Sequence, residues 1–113
     1  MNQEFEIHYH GTTIDRLASI EDIGTLATYR PDTGLTGAWT TTILENSIRH
    51  SRKRGVQRGG IEPIILKFHL PSWWIQKNND RKAVNSSGYD ENVYCFKITI
   101  PKKYYTGVIY PKR

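Results

Sequence analysis

The segment Glu4-Phe5-Glu6-Ile7-His8-Tyr9-His10 alternates strictly, with Phe5, Ile7 and Tyr9 on one face and Glu6, His8 and His10 on the other. A period of two predicts a half-buried strand, apolar face inward, which leaves His8 at the surface. Gly11 follows, where the chain must turn. His10 therefore ends the strand and can point into a cleft, and the glycine lets a ligand approach the backbone. Thr12 or Thr13 caps a helix with Ile14, Leu17, Ala18 and Ile20 or Ile23 on its inner side, and Gly24 ends it.

Thr25–Thr28 reads as a short strand and Tyr29–Thr36 as a loop, with Pro31, Asp32 and Gly34 as breakers. Gly37-Ala38-Trp39-Thr40-Thr41-Thr42 forms an extended rung that runs into a helix. Thr42 and Glu45 have the spacing of a capping box, in which hydroxyl and carboxylate satisfy each other's free backbone donors. This arrangement places Trp39 next to Ser47 and His50, an indole, a hydroxyl and an imidazole suited to a flat polar ring. The helix stops at Gly55, before a basic, glycine-containing loop, Val56–Gly60. Pro63–Leu70 is the most hydrophobic run and predicts a central strand closed by Pro71. Trp73, Trp74 and Ile75 form an apolar cluster of one helical turn. Gln76–Tyr89 is Ser/Asn-rich and reads as a long loop, Asn92–Ile100 alternates again, and Tyr104–Tyr110 is a last strand with Gly107 at a bulge or turn. The tally is about five or six strands with two helices in the N-terminal half. Strands outnumber helices without alternating with them, so the fold class is α+β, a single domain over residues 1–113 with a largely antiparallel sheet or split sheets.

Composition narrows the partners. Lys and Arg outnumber Asp and Glu by 16 to 11, a net charge of +5. That balance favours nucleic acid, a phosphorylated small molecule or an acidic protein surface, although it also serves solubility alone. The single Cys95 excludes an internal disulfide, and no Cys cluster suggests structural zinc. No apolar run reaches the roughly 18 residues of a membrane span. The opening Met1-Asn2-Gln3-Glu4 lacks the layout of a signal peptide, so a cytoplasmic monomer is the expectation.

Candidate chemistry is thinly spread. His8 and His10, with His50 or His69, have the residue type for a metal, but no acid or Cys sits nearby at ligand spacing; a surface pair is the plainer account of His8. Glu91 opens a strand after a polar loop, where a carboxylate can stabilise a developing cation or accept a proton. Its neighbour Asp90 points to the opposite face, so only one of the two can serve a site. Arg52, Lys53, Arg54 and Arg58 suit phosphates but also suit a solvated helix end. Trp73 and Trp74 suit base stacking or, more simply, the edge of the core.

In order, these pieces resemble the ADP-ribosyltransferase fold, in its diphtheria-toxin and poly(ADP-ribose)-polymerase branch, known by a His, Tyr, Glu triad. The resemblance rests on His10-Gly11-Thr12-Thr13 with its following helix, on Gly37-Ala38-Trp39-Thr40-Thr41 before a second helix, and on the strand opening at Glu91. It spans residues 5–110. It implies split antiparallel sheets and NAD as substrate. By the same resemblance, His10 would bond a ribose of NAD, and the Gly11 backbone, with Thr12 beside it, would grip the nicotinamide carboxamide. The family's glycine-X-tyrosine-phenylalanine rung matches Gly37 to Thr40, so that Trp39 holds the first tyrosine's place with Thr40 next to it. Ser47 falls where a serine bonds the carboxamide, and His50 falls where a second tyrosine stacks on the ring. Glu91 takes the place of the catalytic glutamate.

The chemistry fits these residue types independently. Breaking the nicotinamide–ribose bond passes through an oxocarbenium-like state that a carboxylate stabilises. Aromatic planes hold the ring, a hydroxyl and backbone groups fix its amide, and Arg16 or Arg52 suits the pyrophosphate. The expected function is an NAD-dependent ADP-ribosyltransferase with a protein or nucleic-acid acceptor and no membrane partner. Two alternatives stay open: an NAD glycohydrolase, with water as acceptor, and a non-catalytic basic nucleic-acid-binding module.

Overall fold

A computed structural model of the chain describes residues 4–18, 20, 28–30, 35–86, 88–89 and 91–111. The elements described from end to end are β1 (Phe5–Thr13), β2 (Thr28–Arg30), β3 (Leu35–Thr41), α1 (Leu44–Gln57), β4 (Pro63–Pro71), α2 (Ser72–Asn78), α3 (Arg81–Ser86), β5 (Val93–Phe96) and β6 (Tyr105–Ile109). All pairings among the described residues are antiparallel, and the order is β2-β3-β1-β4-β6 with β5 on β3. The class is α+β.

β4 is central, as its apolar run predicts. It pairs with β1 along its whole length, from Phe5↔Pro71 to Thr13↔Pro63, and with β6 on its other edge. Ile64, Ile65, Leu66, Phe68 and Leu70 are completely buried. Each such side chain contributes roughly 1.5–3 kcal/mol of transfer free energy. Leu66, Phe68 and Leu70 join Trp74, Ile75, Phe96 and Ile100 in the main core. The ladder to β6 slips between Lys67 and Phe68, opposite Tyr105 and Gly107, which places the expected irregularity at Gly107.

β1 inverts the reading of its alternation. His8 is fully buried, whereas Phe5 and Ile7 are 55% and 41% exposed. The tertiary reason is the asymmetry of cover on the sheet. The His8 face carries the core, while α1 lies on the opposite face only toward Gly11. β1 also continues through Gly11 to Thr13 instead of turning at the glycine. A 3₁₀ turn, Ile14–Arg16, then begins the first expected helix, with Thr13 at its N-cap position but no side-chain capping bond. Leu17 and Ile20 reach the core, while Ile14 and Ala18 are exposed. Ile23 and the expected stop at Gly24 lie outside the described residues.

Several boundaries also move. Tyr29, Arg30, Leu35 and Thr36 belong to the β2–β3 pairing, not to a loop. The expected strand at Thr25–Thr28 is described only from Thr28. α1 starts at Leu44 without the Thr42–Glu45 capping box: the Thr42 N–H donates to the Asn92 carbonyl, and the Ile43 N–H donates to Thr41 Oγ1 (3.1 Å). It runs past Gly55 to Gln57, and Gly59 and Gly60, both with positive φ, make the turn. The expected long loop Gln76–Tyr89 largely folds as the end of α2 and as α3, whose Val84 packs on Cys95. Trp74 and Ile75 enter the core while Trp73 is half exposed. β5 ends at Phe96, leaving Ile98 exposed. Among the described residues no helix is long and apolar enough to cross a membrane.

α1 meets β1 at Ser47 and Ser51, which close on Gly11, and Gly55, the next small buried residue at a spacing of four, lies against Ile61 and Pro63. A Cβ on Gly11 would lie 2.4 Å from the Ser47 carbonyl oxygen and 3.0 Å from the Ser51 nitrogen. Backbone, not a flexible side chain, closes that space. Gly11→Ala is therefore expected to lower unfolding free energy by about 1–3 kcal/mol, the usual cost of overpacking, in urea titrations followed by circular dichroism.

Candidate functional site

The sheet parts at His10. Tyr9 of β1 pairs with Thr41 of β3, and beyond this pair, among the described residues, β1 continues on β4 while β3 continues on β5. Two imidazoles lace the parting. His10 Nδ1 lies 2.6 Å from the Trp39 carbonyl oxygen, and His8 Nδ1 lies 2.7 Å from Thr40 Oγ1. Both rings thus take up polar groups of β3 where the ladder between the strands stops.

Their tautomers follow from their partners. A carbonyl can only accept, so His10 donates from Nδ1, and in the neutral ring Nε2 is an acceptor. Among the described residues Nε2 has no hydrogen-bond partner. Burial is the main cause that lowers the His10 pKa, and Arg54 and Arg58 lower it further; the Trp39 bond works against them. For His8, Nε2 lies 2.8 Å from Glu6 Oε1. The ionised carboxylate can only accept, so Nε2–H donates to it and Nδ1 accepts the Thr40 hydroxyl proton. Burial again lowers the pKa, with Glu6 opposing. Tyr94 stands edge-on to His8 at 4.6 Å, and its own pKa is raised by burial and then by Glu6.

Thr40 is buried in this relay. Thr12 is also buried, toward the far end of β1. Trp39 packs against Val84 and Cys95 and meets Tyr89 edge-to-face at 5.6 Å. Its indole N–H is buried without a partner among the described residues. Such an orphan costs about 1–3 kcal/mol unless an acceptor reaches it.

The corner expected from Trp39, Ser47 and His50 forms differently. Ser47 is buried and its hydroxyl donates to the Leu44 carbonyl (2.7 Å). Gly11 gives its open side to α1 rather than to a ligand. His50 lines a cleft with Lys53, Arg54, Gln57 and Tyr89, and Tyr89 links that cleft to Trp39. The sequence reading missed Lys53, Arg54, Gln57 and Tyr89 as one group. Their only signal was the i, i+3, i+4, i+7 spacing from His50 and one aromatic residue in a polar stretch.

Glu91 is exposed in the turn before β5, where Arg81 donates to the Val93 carbonyl (3.0 Å). Its charge bears on the Tyr94 hydroxyl together with that of Glu6. Asp90 is outside the described residues. Arg16 and Arg52 are exposed and do not line the cleft. No group of three or more metal-ligating side chains occurs among the described residues. Cys95 is buried, and burial followed by Asp80 pushes its thiol pKa up to about 11, so it is a poor nucleophile at neutral pH. No protein-family model matches the chain, and no curated protein matches it in sequence.

The two lowered histidines set a pH dependence. Below about pH 6.5 the unfolded chain takes up protons that the folded chain resists, so stability falls as pH drops through that range. Urea unfolding between about pH 7.5 and pH 5.5 should show this loss, up to about 1.4 kcal/mol per pH unit from His8, and His8→Gln should flatten the slope. Separately, Thr40→Val should cost about 1–3 kcal/mol at neutral pH by removing the partner of a buried ring nitrogen.

Proposed function

We propose that the protein is an NAD-dependent ADP-ribosyltransferase that cleaves the nicotinamide–ribose bond and passes ADP-ribose to a protein or nucleic-acid acceptor. The observation that carries this reading is the parting of β1 from β3. There, His10 bonds the Trp39 backbone and keeps an unspent acceptor at Nε2, and the buried Trp39 indole N–H is a donor without a partner among the described residues. A ribose hydroxyl suits the first, and a carboxamide oxygen suits the second. The fit is incomplete at Ser47 and Gly11, whose expected contacts are taken by α1.

In this reading NAD supplies the cationic leaving group. His10 accepts a hydroxyl and orients the ribose. The Trp39 indole holds the flat ring by its face or edge and its amide by the N–H. Glu91, exposed at the mouth of β5, stabilises the charge that develops on the ribose and orients the nucleophile. The relay of Glu6, His8 and Thr40 holds the neighbouring rung of β3 in place.

Nicotinamide release from NAD by the purified chain, with and without cell lysate, tests the reading. Release that needs lysate and falls about 100-fold in Glu91→Gln supports a transferase. Release in buffer alone assigns water as the acceptor. The absence of both release and NAD binding would remove the enzymatic reading.

A further inference from the structure

We infer that the cleft between α1 and Tyr89 is a phosphate-binding site, taking a phosphate ester carried by a nucleotide or a polynucleotide. Its lining is His50, Lys53, Arg54, Gln57 and Tyr89, and it encloses about 190 Å³. Pockets that hold a whole drug-sized ligand begin at roughly 300 Å³. This cleft therefore takes one group of a larger molecule.

The geometry explains why donors gather here. Ser47 and Ser51 dock α1 on β1, and Gly55 docks it on Ile61 and Pro63, which fixes the rotation of the helix about its axis. His50, Lys53, Arg54 and Gln57 then share the adjoining flank, at positions i, i+3, i+4 and i+7. Guanidinium, ammonium and amide donors converge without a carboxylate among the described lining residues. Lys53 has no hydrogen-bond or ion-pair partner among the described residues, and Arg54 has only a long contact with Gln57 Oε1, at 3.5 Å. Lys and Arg donors without a carboxylate beside them among the described lining residues suit the several acceptor oxygens of a phosphate. Tyr89 adds an aromatic face that is 47% exposed, on which a base can stack beside the phosphate. A simple carboxylate ligand would leave that face unused. Arg54 and Arg58 also act on His10, so the positive field of the cleft extends to the parting of the sheet.

The test is an NMR titration of the full chain with sodium pyrophosphate, ADP-ribose and a short single-stranded oligoribonucleotide, following His50, Lys53, Arg54, Gln57 and Tyr89. Saturable shifts at these residues are expected. Lys53→Gln and Arg54→Gln should each weaken pyrophosphate binding about tenfold, while Lys77→Gln, which removes an equal charge from α2 outside the cleft, should change it less than about twofold. Tighter binding of ADP-ribose than of the oligonucleotide would identify a nucleotide as the source, and the reverse order, lost in Tyr89→Leu, a polynucleotide. The inference is overturned by the absence of saturable shifts in the cleft with all three probes, by an equal loss in Lys77→Gln, or by tighter binding of a glutamate-rich peptide. No turnover is involved, so the outcome is separate from that of the NAD assay.

Discussion

Two hydrogen bonds between β1 and β3 join the strands where the backbone pairing between them ends. The His8–Thr40 and His10–Trp39 contacts take over where the backbone ladder stops at Tyr9↔Thr41. A ladder bond is neutral and does not change with pH. An imidazole can exchange protons and can bring a second nitrogen to bear. The parting is therefore both a structural weak point and the place where polar atoms are left over for chemistry. Burial keeps both rings toward the neutral form, which suits an acceptor better than a cation.

The second constraint is the close approach of α1 to β1. It depends on residues that lack bulk: Gly11 on the strand, and Ser47 and Ser51 on the helix. The two serine hydroxyls bond carbonyls within their own helix, so the contact buries no unsatisfied hydroxyl. This docking turns the basic flank of α1 toward Tyr89. One packing decision therefore closes the Gly11 backbone and opens the cationic cleft. It also shows why a glycine beside a candidate histidine has two physical readings. Only the neighbouring element decides whether helix or ligand occupies the space.

Much of the fold was legible. The largely apolar run of β4 marked the central strand, and β1 beside it showed the period of two of a strand with unlike faces. Local alternation says that two faces differ, however, and not which one meets the core. Phe5 and Ile7 looked inward by hydrophobicity, yet His8 is the buried residue, because Glu6 and Thr40 satisfy both ring nitrogens and remove the penalty for burying it. The segment from Gln76 to Tyr89 looked like a loop because its polar composition concealed two short helices, which are stabilised by packing on β4 and β5 more than by propensity.

The candidate site divides in the same way. By themselves, the residues determined the chemical inventory: histidines near a glycine, a tryptophan rung, a basic helix and a carboxylate before a strand. They also determined the α+β class, since hydrophobic period is a local property. Tertiary structure alone decided which groups meet. It spent the Ser47 hydroxyl within its own helix, drew His8 into a relay with Glu6 and Thr40, and joined His50 to Lys53, Arg54, Gln57 and Tyr89. The physical reason is that the rotation of a helix and the inward face of a strand are set by what packs against them, and those partners lie tens of residues away along the chain.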